Sequence, residues 1–151
     1  MCLMLYLATP RPLAGAPPRP LVVEAVRDED ANALRGTVAH AHLALVTVSI
    51  EGGGSGCGCS FPYFGGKPVH DIEELGGPFG DPSDCAEAAA YVRALVELVE
   101  RALAPGETAE LFPVWSGNEA TPAHGRFEIA TAALDPDRFA FAESWLYALR
   151  S

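Results

Sequence analysis

At 151 residues the chain has the length of one ordinary domain, and a single domain over 1–151 is expected. An apolar content of 49% excludes a disordered tail and supplies a core that needs no disulfide or metal to hold it together. The formal net charge of -10, from 20 acidic and 10 basic residues with Lys67 the only lysine, has the wrong sign for nucleic acid or an anionic membrane surface.

Residues 2–8 are apolar on both faces and read as a buried strand, too short to span a bilayer and without the basic flank of a secretory signal. The expected compartment is therefore the cytoplasm, with the four cysteines present as reduced thiols or ligands. Five prolines between 9 and 20 predict an extended linker. Leu21 to Val26 is a second short strand, and Asp28 to Arg35 a helical turn with Asp28 as its cap. Leu43 to Ile50 is the clearest strand by composition, and it runs into a glycine-rich stretch, Gly52 to Cys59. Residues 60–83 have little periodicity and read as a long ordered loop.

The best helix is expected from about Asp84 to Leu103. Asp84 and Glu87 resemble a capping box, Tyr91, Val92, Leu95, Leu98 and Val99 share one face, and Pro105-Gly106 stops it. Arg93–Glu97 and Glu97–Arg101 stand at ion-pair spacing on the other face. Thr108 to Trp115 reads as a strand that Pro113 pushes toward a sheet edge or bulge. Arg126 to Ala132 alternates, and these two segments are expected to pair as a hairpin. Between 136 and 149 the signals conflict: Asp135-Pro136-Asp137 suggests a helix start, whereas the shared parity of Phe139, Phe141, Trp145, Tyr147 and Leu149 favours short strands. The resulting fold class is α+β, a mostly antiparallel or mixed sheet of roughly five to seven strands with one long helix packed on one face.

The Gly56-Cys57-Gly58-Cys59 loop carries the most suggestive chemistry. Thiolates favour soft metals, and a Cys-x-Cys pair at a strand end presents two sulfurs to one ion. A closed zinc site needs four ligands, usually at wider cysteine spacing, so Cys2 is the candidate third ligand if its strand lies beside Leu43–Ile50. Cys85 or a histidine would be the fourth. The alternatives are a thiol nucleophile, which needs a base nearby, and cysteines that simply fill space as small apolar residues in a tight glycine turn. His40 and His42 would share one strand face, with no carboxylate or third histidine identifiable to complete a metal site. The glycine run has neither the Gly-Lys-Ser/Thr of a phosphate loop nor the spacing of a dinucleotide fingerprint. Tyr63, Trp115, Asn118 and Glu119 are expected to line a pocket near the cysteine loop.

Three segments taken in order carry a resemblance. They are Met1-Cys2 with Tyr6-Leu7, Gly56-Cys57-Gly58-Cys59 with Phe61, and the run from Glu110 to Glu119 that contains Pro113-Val114-Trp115-Ser116-Gly117-Asn118. Together they resemble a family of small uncharacterised bacterial proteins, over most of the chain. The resemblance brings no activity with it and implies that Cys2 and the Cys57/Cys59 loop occur as a set. The functional expectation is a binding or interaction domain, holding a metal such as zinc or a small ligand at Cys2, Cys57 and Cys59. A small thiol- or metal-dependent enzyme acting at the same loop is the alternative.

Overall fold

The computed structural model describes residues 2–50, 54–55, 60–76 and 82–151. The chain runs β1 (Leu3–Thr9), β2 (Leu21–Ala25), α1 (Asp28–Leu34), β3 (His42–Ile50), β4 (Gly54–Ser55), β5 (Tyr63–Phe64), α2 (Pro82–Ala102), β6 (Thr108–Trp115), β7 (Arg126–Ala130), β8 (Phe141–Ala142) and β9 (Leu146–Arg150). It is an α+β fold on a mixed sheet ordered β2-β3-β1-β6-β9-β7, with β4 paired to the end of β3. Four of the neighbouring pairs on that path are antiparallel; β7 and β9 are parallel.

Alternation along the strands sends side chains to two buried faces. Leu5, Leu7, Val46, Val48, Leu111, Tyr147 and Leu149 pack against Val92, Leu95, Leu98 and Val99 of α2. Tyr6, Ala8, Phe112, Val114 and Leu146 turn the other way, against Leu34 and Val38. The sheet therefore has helical cover on both faces, long on one and short on the other, rather than on one face alone. Helix α2 starts at Pro82, so Asp84 falls inside its first turn and not at its cap. Arg101 pairs with Glu97 as the spacing implied, whereas Arg93 reaches across to Asp137 at 3.3 Å.

Two expectations about β6 fail for one reason. The expected hairpin with Arg126–Ala132 does not form, because β9 lies between them, pairing Leu111 with Tyr147 on one side and Ile129 with Leu149 on the other. Leu146 to Leu149 are buried throughout, whereas β7 is largely open, and the segment apolar on both faces takes the inner position. Nor is β6 an edge strand: it pairs with β1 through Pro113, opposite Leu5. Proline is tolerated there because its carbonyl and its missing N–H face the β9 side, where the ladder ends at Leu111. The Pro113 carbonyl accepts the Ser144 N–H at 2.7 Å instead.

The last segment resolves to short strands. Phe139, Phe141 and Tyr147 meet edge to face beneath α2, with ring centroids 4.9–5.7 Å apart. The Tyr147 hydroxyl accepts the Ala142 N–H at 2.6 Å, and burial raises its pKa. This crossover between β7 and β9 contains no α-helix, only a 3₁₀ turn at Thr131–Ala133 and β8, which lies parallel to β5.

Candidate functional site

The antiparallel pairing of β1 with β3 gives the sheet two chemically different ends. At one end lie the start of β1, with Cys2, the close of β3 and the close of β6 at Trp115. We call it the cysteine end. The histidine end holds the close of β1 at Thr9, opposite His42 at the start of β3.

At the cysteine end the premise for a shared thiol site is met: the strand that begins after Cys2 lies beside the strand that leads into the Gly-Cys-Gly-Cys segment. Continuing the register of Leu5 with Val46 places Cys2 opposite Ser49, which itself pairs with Ser55 of β4. Cys2 is exposed, and its carbonyl accepts the Ser116 N–H at 2.8 Å. Cys57 and Cys59 lie outside the described residues. Among the described residues, no three His, Cys, Asp or Glu side chains are grouped to hold a metal ion. Cys85 sits half-buried in α2.

The pocket-lining set divides. Tyr63 and Trp115 meet edge to face at 5.7 Å, and the Trp115 indole N–H donates to Glu143 at 2.9 Å. The Glu143 backbone N–H donates to the Phe64 carbonyl at 2.9 Å, tying the 60–76 segment to this wall. The next residue, Ser144, has φ of 62°, a left-handed conformation unusual outside glycine. Its carbonyl receives the His124 N–H at 2.8 Å. Gly125 then packs directly under Trp145, where a Cβ would lie 2.4 Å from the indole ring.

Glu119 and Asn118 are not part of this wall. Glu119 is buried and accepts the hydroxyl of Tyr6 at 3.1 Å and the N–H of Gly117 at 2.9 Å. Tyr6 projects to the α1 face of the sheet, the opposite one from Trp115. Burial, reinforced by the Glu119 and Asp30 charges, raises the Tyr6 pKa. Asn118 forms the turn after β6: its N–H donates to the Trp115 carbonyl and its carbonyl accepts the Thr121 N–H, both at 2.9 Å.

The histidine end is built around a buried carboxylate. Glu110, 2% exposed in the middle of the sheet, accepts the N–H groups of Ala39 and His40 on one oxygen at 2.7 and 3.0 Å. Its other oxygen takes the Arg126 guanidinium at 3.2 Å. The backbone around His40 is thus fixed from beneath, while its ring Nε2 stands 3.5 Å from the Thr108 hydroxyl. Glu107 is clasped by both terminal nitrogens of Arg11 at 2.8 Å, which holds its carboxyl below the usual range.

Two clefts flank this end. One of about 580 Å³ lies between α1 and residues 38–43 and opens on Arg35 and His40. The other, about 350 Å³, lies under Pro12 and Leu13 and opens on His42 and Glu24. The two histidines therefore serve different clefts and do not converge on one site. Glu143, Ser144, Arg35 and Glu110 escaped the reading of the sequence. Only Glu110 left a signal there, as a lone carboxylate inside an apolar strand.

No family model, no curated protein and no solved structure matches the chain. No described helix is long and apolar enough to cross a membrane.

Proposed function

We propose that the chain is a ligand-binding domain whose site is the cysteine end of the sheet, and that its ligand is a thiophilic metal ion, zinc first, held by Cys2 together with Cys57 and Cys59. The observation that supports this reading is the pairing of β1 with β3, since β1 follows exposed Cys2 and β3 leads in sequence toward the Cys57/Cys59 segment. Thiolate is the ligand soft metals select, and three sulfurs leave one tetrahedral position for a fourth donor.

Glu143 is fixed by the Trp115 indole and by its own backbone bond to Phe64, so this end of the sheet keeps its shape without a bound ion. Because no described group of side chains completes a metal site, binding requires the two cysteines of the loop. Elemental analysis of the purified protein, with Cys57→Ser and Cys59→Ser as controls, tests the reading. About one zinc per chain, lost in both variants with the fold intact, is expected. A metal-free wild-type protein that takes up none from micromolar zinc overturns it.

A further inference from the structure

We infer that the 580 Å³ cleft at the histidine end is a second, independent binding site, for a small monocarboxylate with an apolar body, of the medium-chain fatty acid class, with Arg35 as its counter-ion. Its size falls within the range of small-molecule pockets, about 300–1,000 Å³. Val26, Val38 and Leu43 supply an apolar wall, alanines fill most of the remainder, and no acidic side chain lines it.

Charge decides the class of ligand. The protein carries twice as many acidic as basic residues, 20 against 10. Arginines 11, 27, 93, 101, 126 and 138 all hold carboxylates. Among the described residues Arg19, Arg35, Lys67 and Arg150 hold none, and of these four only Arg35 lines this cleft, beside its apolar wall. An unpaired guanidinium with apolar surface beside it matches a ligand that has a carboxylate head and a hydrocarbon body. Of the carboxylates around this end, Glu107 is held by Arg11, Glu110 by Arg126 and two backbone N–H groups, and Glu29 and Asp30 by Arg27. A phosphate ester fits less well. It brings a charge of roughly -1.5 to -2 and three acceptor oxygens, against one guanidinium and one imidazole.

Glu110 gives the cleft its shape in advance. By fixing the Ala39 and His40 N–H groups it sets the lip that carries the imidazole, so little ordering remains to be done on binding. Glu110 is a positioning residue here, because it faces the backbone and not the ligand.

The probe is octanoate, followed by amide chemical shifts and by titration calorimetry, with 1-octanol and inorganic phosphate as the two halves of the ligand tested apart. Saturable shifts confined to residues 26–43 are expected with octanoate, and binding at least about tenfold weaker with octanol. Inorganic phosphate should produce no saturable shifts in this segment. Arg35→Ala, at an exposed residue without an ion-pair partner among the described residues, should keep its melting temperature and lose about tenfold or more in octanoate affinity. Ala41→Glu places a carboxylate at the lip and should abolish binding. Cys2→Ser should leave it unchanged, so failure here and failure of the metal site are separable. Octanoate shifts that are absent or spread over the whole molecule, octanol binding as tightly as octanoate, saturable phosphate binding at Arg35, or an unchanged affinity in Arg35→Ala would each overturn the inference.

Discussion

The two ends of the sheet solve the same problem in different ways. Each must end strands and still present chemistry. The cysteine end does so with aromatic rings and a strained turn: Trp115 on Tyr63, Trp145 on Gly125, and Ser144 in a left-handed conformation. The histidine end does so with a buried charge, Glu110, saturated by two N–H groups and an arginine. Packing rigidifies the first and electrostatics the second. Cys2 therefore sits at the end held mainly by packing, while His40 sits at the end built on one buried carboxylate.

That contrast breaks most visibly between the ends, at Tyr6. Its folded pKa is raised above the ordinary value of 10.0, and Tyr147 behaves alike. The sign follows directly: a raised folded value favours the neutral form, so this stability is fully present below about pH 10 and is lost as pH climbs above it. Alkaline titration followed by tyrosinate absorbance should show Tyr6 and Tyr147 ionising only as the protein unfolds. Tyr6→Phe should keep the Tyr147 step and remove its own. Smooth titration of both in the folded protein would contradict the burial described.

Next in size is Glu110→Ala, which strands the Ala39 and His40 N–H groups and should cost about 2–4 kcal/mol in urea unfolding. Its octanoate binding should fall with it, whereas the cysteine end is expected to keep its near-ultraviolet aromatic signal. Gly125→Ala is the matching test at that end. The added methyl meets the Trp145 ring at 2.4 Å, and this indole packs against the main core. A loss of about 1–3 kcal/mol is expected, with the Trp signal changed and the histidine end untouched. If each substitution damages both ends equally, the division of labour is wrong.

Much of the fold was legible in the sequence because burial writes itself into periodicity. Leu43–Ile50, the long helix and the short strands near the C-terminus all follow from where the apolar residues fall. Strand order was not legible. Nothing in Thr108–Trp115 or Arg126–Ala130 announces that Leu146–Arg150 comes between them, since pairing depends on which segments must be buried on both faces. Pro113 misled in a specific way, because its effect depends on where the neighbouring strand stops. At the candidate site, the sequence made a role for Cys2 conditional on its strand lying beside Leu43–Ile50, and β1 does pair with β3. The partnership of Trp115 with Glu143 and the separation of Glu119 from it could not be read, because both depend on which face of the sheet each side chain takes.

The proposed use of the cysteine end rests on Cys2 acting with the loop cysteines. Cobalt(II) titration of the wild-type protein and of Cys2→Ser, read by the thiolate-to-cobalt charge-transfer band, tests this most directly. Saturation near one equivalent with a tetrahedral spectrum is expected for the wild type. Cys2→Ser should bind at least about tenfold more weakly, in line with the loss of one ligand, and should leave octanoate binding intact. Identical titrations for the two proteins, or no charge-transfer band in either, would contradict it.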